Sequence, residues 1–206
     1  MSLLASFFAF DFVLFTEAFV LLFAVMDALG TVPIFIGLTE GFADHRGRIV
    51  KQAIVISTAI LVVFALFGWL IFEAFGITIN DFRVAGGIIL FLVAVDHLRG
   101  GDSRSRGLEP SDIAAFPLAT PLLAGPGAIS TVIIISTTPY SPFLALVVIF
   151  INSALAYLIL SGSGWVGRFL GPNGTNALSR ITALLIAALA VSFVVTGITN
   201  IIAAVG

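Results

Sequence analysis

Long apolar blocks separated by short polar ones run the length of this chain. Six hydrophobic segments can be drawn, at 8–39, 51–75, 82–98, 113–137, 143–161 and 181–203. Each is about as long as a helix that crosses ~30 Å of hydrocarbon at 1.5 Å per residue. The connections at 40–50 (EGFADHRGRIV) and 99–112 (RGGDSRSRGLEPSD) are polar. The connection at 162–180 (GSGWVGRFLGPNGTNALSR) is rich in glycine and reads as a loop, and the turns at 76–81 and 138–142 are short. A β-barrel would need short alternating segments instead. The pattern predicts an all-α polytopic membrane protein, with residues 1–206 forming a single transmembrane domain.

Composition agrees: 60% of residues are hydrophobic and 10% charged, against about 25% charged in soluble domains. With no cysteine there are neither disulfides nor thiolate metal sites. The two histidines, His45 in a connection and His97 at a span end, make no Ser–His pair at membrane depth. No His/Asp/Glu cluster with metal-ligand spacing and no phosphate-binding loop is visible. An enzyme, a metal site, a cofactor and ATP-driven pumping are therefore not expected. A net charge of −2 without a basic run gives no reason to expect nucleic acid. The first span has no Lys or Arg before it, so it reads as a permanent span rather than a cleaved signal.

Charge placement predicts orientation. Arg46, Arg48 and Lys51 follow span one, Arg99, Arg104 and Arg106 follow span three, and Arg168 and Arg180 follow span five. Only Arg83 lies on the other side. Cytoplasmic loops carry the Lys/Arg excess, so both termini are expected on the non-cytoplasmic side.

Six spans divide into two sets of three, 1–100 and 101–206. Residues 82–101 and 179–198 align at an offset of 97, matching Arg83 with Arg180, Ile89 with Ile186, Leu92 with Leu189 and Gly100 with Gly197. The stretch AVMDALGTVPIFIGLT (24–39) falls on LLAGPGAISTVIIIST (122–137) at an offset of 98, which lays Asp27 on Gly125. An offset of 93, pairing Pro33 with Pro126, is an alternative register. Three spans per half make the second set enter from the opposite side, an inverted repeat. Helices interrupted at matching places in such repeats point to a transporter's binding site.

Both matching stretches carry helix breakers. Span one holds Asp27, Gly30, Thr31 and Pro33, and is too long for a simple crossing. Thr31 is the expected N-cap of an inner half-helix with Pro33 in its first turn, after an outer half-helix that ends near Asp27. In span four Gly125 is expected to cap, Pro126 to open the half-helix and Gly127 to admit another group against the backbone, with Ser130 and Thr131 one turn on. Counting residues from Gly41 and Asp112 places the two breaks at similar depth, near mid-membrane. A half-helix start offers unpaired N–H groups and partial positive charge, which suits a carboxylate. Asp27, at the C-terminal end of the outer half-helix, would call for a proton, a cation or a substrate ammonium. A zwitterion meets both demands. Asp27 and Glu17 are the coupling-ion candidates, for a proton or sodium. Asn152 and Asn200 read more readily as interhelical glue than as ligands.

The opening stretch, together with FRVAGGIILFLVAV (82–95) and FPLATPLLAGPGAIST (116–131), resembles the MarC family of bacterial and archaeal integral membrane proteins over nearly the whole chain. Asp27, Gly30 and Pro33 match the family's Asp-Pro-x-Gly-x-x-Pro pattern, and Gly125, Pro126 and Gly127 its Gly-Pro-Gly. The family's first proline is Ala28 here, which predicts a less rigid first break. The resemblance implies a six-span fold and, for some members, transport of small neutral amino acids such as glycine and alanine; the expected location is the plasma (inner) membrane. The expected function is a secondary transporter of that class. A channel, a small subunit of a larger complex, or an exporter of another small metabolite is the alternative.

Overall fold

A computed structural model describes residues 12–98, 109–136 and 142–205, and every regular element in them is helical. In chain order they are α1 (Phe12–Met26), α2 (Ala28–Leu38), a 3-10 segment (Glu40–His45), α3 (Arg46–Phe75) and α4 (Ile79–Leu98). The short α5 (Pro110–Ile113), a π-type stretch (Ala114–Leu123), α6 (Pro126–Ile135) and α7 (Pro142–Val205) follow. Four segments are long and apolar enough to cross a membrane: Phe12–Leu38, Glu40–Phe75, Pro142–Gly164 and Ala183–Ala204. Pro110–Leu123 and Pro126–Ile135 make a fifth when taken as one span bent by 58°. The 20-residue α4 carries Asp81, Arg83 and Asp96 and stands outside that set. The chain is thus an all-helical multi-pass membrane protein. Residues 8–11 of the expected first span, 137 of the expected fourth span, and 99–108 and 138–141 of the expected connections lie outside the described residues.

One expected loop is wrong. Helical backbone runs through 162–180, inside α7. A glycine costs a helix only about 1 kcal/mol relative to alanine, and among the residues of this stretch only Pro172 is a strong breaker. Glycine content alone therefore does not end the helix.

Local chemistry explains the other boundaries. Gly76 adopts a left-handed conformation (φ 61°) at the C-cap of α3, where its N–H reaches Glu73 O. Thr78 and Asp81 then open α4 reciprocally. The Thr78 N–H and hydroxyl each donate to Asp81 Oδ2 at 2.7 Å, and the Asp81 N–H donates to Thr78 Oγ1 at 3.2 Å. At the end of α2, Arg46 Nε donates to Thr39 Oγ1 at 2.9 Å and Arg46 Nη2 to Ile36 O at 3.4 Å. A cation thereby meets the unpaired carbonyls and negative end of that helix.

Burial separates an interior from a lipid face. Thr31, Ile34, Phe35, Ile36, Gly37 and Leu38 of α2 are buried, as are Ala128, Ile129, Ser130, Thr131 and Val132 of α6. Both helices that follow a break are therefore mostly interior, with Leu29 and Ile134 their exposed large side chains. Trp69, Leu70, Phe75, Phe143, Leu158 and Ile202 are exposed, which suits contact with acyl chains. Lipid is as apolar as leucine, so close packing and polar contacts, not water exclusion, hold such helices together. Thr58 Oγ1 donates to Ser153 Oγ at 2.7 Å between α3 and α7. Asn152, 1% exposed, donates from Nδ2 to Val148 O at 2.9 Å and to Phe19 O of α1 at 3.5 Å.

In the seam between α4 and the C-terminal part of α7, each glycine faces a valine methyl (Val194 Cγ2 against Gly87, Val84 Cγ2 against Gly197, each 2.7 Å from the would-be Cβ) and backbone just behind it. A Cβ on Gly87 would lie 2.8 Å from Ala190 O and 3.0 Å from Val194 N. A Cβ on Gly197 would lie 2.9 Å from Asn80 O and 3.2 Å from Val84 N. The two contacts mirror each other, with every residue 110 positions from its counterpart. The offset of 97 expected from the sequence is not the register these contacts repeat. At 110, VAGGI (84–88) faces VVTGI (194–198).

Candidate functional site

The first break is a single residue. Asp27 sits at φ 40°, ψ 53°, the only non-glycine residue with positive φ among those described. Aspartate tolerates that region because its short side chain bonds locally. Here Oδ1 accepts from the Gly30 N–H at 3.0 Å, so Asp27 is the N-cap of α2. Thr31 was expected in that role. Instead it lies one turn inside the helix, buried, with its hydroxyl donating to Asp27 O at 2.9 Å. The hydrogen-bond ladder also bridges the break: Asp27 N–H reaches Phe23 O at 3.2 Å and Thr31 N–H reaches Asp27 O at 3.0 Å. Ala28 keeps an N–H and brings no ring, so the chain resumes its helix at once. Phe12–Leu38 consequently counts as one interrupted 27-residue span.

This changes the charge argument. Asp27 follows the C-terminal end of α1, where a carboxylate is disfavoured, but it also starts α2, where one is favoured. The carboxylate that was expected to need an outside partner already holds one N–H of its own helix. Its side chain is nonetheless exposed, and so is Gly30. Pro33 is half-buried on the next turn. Glu17, in α1, is exposed and lies ten residues before Asp27.

The second break is larger. Pro117 and Pro121 follow Phe116 and Thr120, whose extended backbone (φ −144° and −133°) is the conformation a following proline favours. Both X–Pro bonds are cis. Gly125 is the N-cap of α6 and Pro126 its first residue, as the sequence predicts, and no side chain caps this end. The first backbone bond of α6 runs from Ile129 N–H to Gly125 O at 2.9 Å. The N–H groups of Gly127 and Ala128 precede it, and Pro126 has none to give. Ser130 Oγ donates to Pro126 O at 2.6 Å, so this hydroxyl's proton is directed back into its own helix. Ser130 and Thr131 are each 6% exposed.

The two breaks meet. A Cβ on Gly127 would lie 2.7 Å from Val25 Cγ1, two residues before Asp27. Gly86 of α4 faces the same corner, its would-be Cβ 3.4 Å from Pro126 Cγ. The arrangement therefore sets an uncapped helix start, with Gly127 half-exposed, against the turn of α1 that leads into the exposed Asp27 carboxylate, with Gly86 beside Pro126. The site residue that sequence reasoning passed over is Val25, which closes the gap against Gly127. Nothing distinguishes it from other apolar residues until the helices are packed. Among the described residues, no group of three or more His, Cys, Asp or Glu could hold a metal.

Comparison with known proteins places the chain in a family. The profile for "MarC family integral membrane protein" matches residues 12–202. A UPF0056 membrane protein of Methanocaldococcus jannaschii is 43% identical over 195 residues, which cover 89% of this chain and 86% of that one. Another from Aquifex aeolicus is 36% identical over 202 residues, 92% of this chain and 94% of its own. The UPF0056 membrane protein YhcE of Escherichia coli is 36% identical over 205 residues, 93% and 95% of the two chains. No solved structure matches the chain. The chain belongs to the MarC family of integral membrane proteins.

Proposed function

We propose that this protein is a secondary transporter of small neutral amino acids of the glycine and alanine class. The observation that carries the reading is the meeting of the two interrupted helices at Val25 and Gly127. An uncapped helix start suits the carboxylate of a zwitterion, and the exposed Asp27 carboxylate suits its ammonium. Substrate side chains larger than a methyl or hydroxymethyl would crowd a corner where even a glycine Cβ meets Val25. A proton or sodium is the proposed coupling ion, with Asp27 and Glu17 the groups that would carry it.

In this reading α4 is a sixth span, and 1–100 and 101–206 form inverted three-helix halves. The mirrored Gly87 and Gly197 contacts support that arrangement. So does the Thr58–Ser153 pair, which joins α3 to α7 at an offset of 95. The rise from 95 to 110 between these pairs matches a longer connection in the second half, where 165–182 stands against the short turn at 76–78. Eight of nine cations fall on one side of such a fold, which supports a plasma-membrane protein with both termini on the non-cytoplasmic side.

The test is counterflow of labelled glycine and alanine into proteoliposomes of the purified chain. Saturable exchange is expected, and the Asp27→Asn variant should lose it while Glu17→Gln loses less. Absence of uptake for glycine, alanine, serine and threonine would sink the substrate assignment. Linear, non-saturating flux would favour a channel.

A further inference from the structure

Two open clefts along α3 share Val55 and together have the outline of a lipid. The first, about 530 Å³, is lined by Arg48, Lys51, Gln52, Val55, Ile56 and by Ser111 of α5. The second, about 710 Å³, runs between α3 and α7, with Val55, Ala59 and Val62 on one wall and Phe150, Ala154 and Leu158 on the other. Residues 48, 51, 55, 58/59 and 62 recur at helical spacing, so both clefts lie on one face of α3. The basic end is also the polar end: the 3-10 segment with Glu40, Asp44 and His45 precedes α3, whereas residues from Ala53 to Leu66 carry no charge. A charged pocket at the membrane surface thus opens directly into an apolar groove that leads away from it.

We propose that this face of α3 binds an anionic phospholipid, its phosphate between Arg48 and Lys51 and one acyl chain along the groove to Val62. Charge complementarity selects the headgroup, because Arg and Lys are the two cations of the pocket. Gln52 adds an uncharged polar side chain to the lining. Ser111 is engaged at the rim, donating to Glu109 Oε2 at 3.4 Å. The acidic groups there, Glu109 and Asp112, are exposed, and the Asp112 carboxylate is capped by the Glu109 N–H at 2.8 Å. The groove is apolar apart from the Thr58 and Ser153 hydroxyls, and Thr58 donates to Ser153. An acyl chain there leaves no buried polar group newly unpaired. None of the residues around Asp27 and Gly127 lines either cleft.

The experiment is native mass spectrometry of the full chain in neutral detergent with equal amounts of phosphatidylglycerol and phosphatidylcholine of identical acyl chains. Preferential retention of phosphatidylglycerol is expected. Each cation near a membrane surface contributes about fivefold, so Arg48→Gln with Lys51→Gln should weaken retention about thirty-fold, while Arg180→Gln leaves it unchanged. Ala154→Phe, which fills the groove, should lower retention of the lipid with both cations in place. Equal retention of the two lipids by the wild type would overturn the proposal without recourse to any variant. So would full retention by the double variant or by Ala154→Phe. Competition by inorganic phosphate as effective as that by phosphatidylglycerol would overturn it too, since the groove would then contribute nothing.

Discussion

Asp27 combines a backbone role with a charge, and the two can be separated. Replacing it by alanine removes the acceptor for the Gly30 N–H, which costs about 1 kcal/mol at an N-cap. Alanine at φ 40°, ψ 53° also lacks the local side-chain bond that makes a left-handed residue tolerable, a further ~1 kcal/mol. The sum, about 2 kcal/mol, corresponds to a fall in Tm of roughly 4–8 °C for a chain of this size. Asparagine caps as well as aspartate and tolerates the same backbone, so Asp27→Asn should stay within ~0.5 kcal/mol of the parent. Thermal unfolding of the purified variants in neutral detergent reads the difference. Exchange protection at the Gly30 amide, lost in the alanine variant and kept in the asparagine one, localises it. Equal stability of the two variants would refute the cap, and with it the one-residue break. If asparagine preserves the fold but abolishes counterflow, the negative charge itself is required.

Other substitutions probe the packing and the second break. Gly87→Ala places a methyl against the Val194 side chain and two backbone atoms of α7, and should destabilise by about 1–2 kcal/mol net of the gain in helix propensity. Gly162→Ala, with nothing within 4 Å, should be neutral or slightly stabilising in the same unfolding assay. Gly127→Ala meets only Val25 Cγ1, so it should fold within ~1 kcal/mol of the parent yet slow glycine exchange, and Val25→Ala should restore it. Asn152→Ala should lose about 0.6 kcal/mol of α1–α7 association, the average found for polar contacts in membrane proteins. The Asp81 carboxylate is held below its ordinary range by the Thr78 hydroxyl first and the Thr78 N–H second. Its support for the start of α4 is therefore complete above the ordinary carboxylate pKa and lost as pH falls through the depressed one. Exchange at the first turn of α4 should rise on acidification, and Asp81→Asn should remove that dependence.

Much of this architecture is legible in the chain. Long apolar blocks need only a count to be read as spans, and Gly125-Pro126 behaves as its chemistry dictates, because proline's missing N–H and fixed φ act locally. The errors arose where local signals compete. Thr31 and Asp27 are both good caps, and the choice between them depends on whether Asp27 enters the left-handed region, which composition does not reveal. Glycines at 162–180 suggested a loop, yet helix continuity depends on the backbone bonds available rather than on propensity alone. The offset of 97 differs from the 110 at which the glycine contacts recur, because four scattered identities weigh little against two glycines that fix where helices touch. The contact of Val25 with Gly127 is a tertiary fact with no local signature.

The α4–α7 seam has a mechanical meaning. Interlocked side chains behave like gear teeth, since turning one helix against another forces rotamers through occupied space. At Gly87 and Gly197 each tooth is a single valine, Val194 and Val84, seated where the glycine leaves a notch and the main chains come close. The two teeth limit how far α4 and α7 can turn against each other, and a methyl group placed on either glycine would act as a wedge.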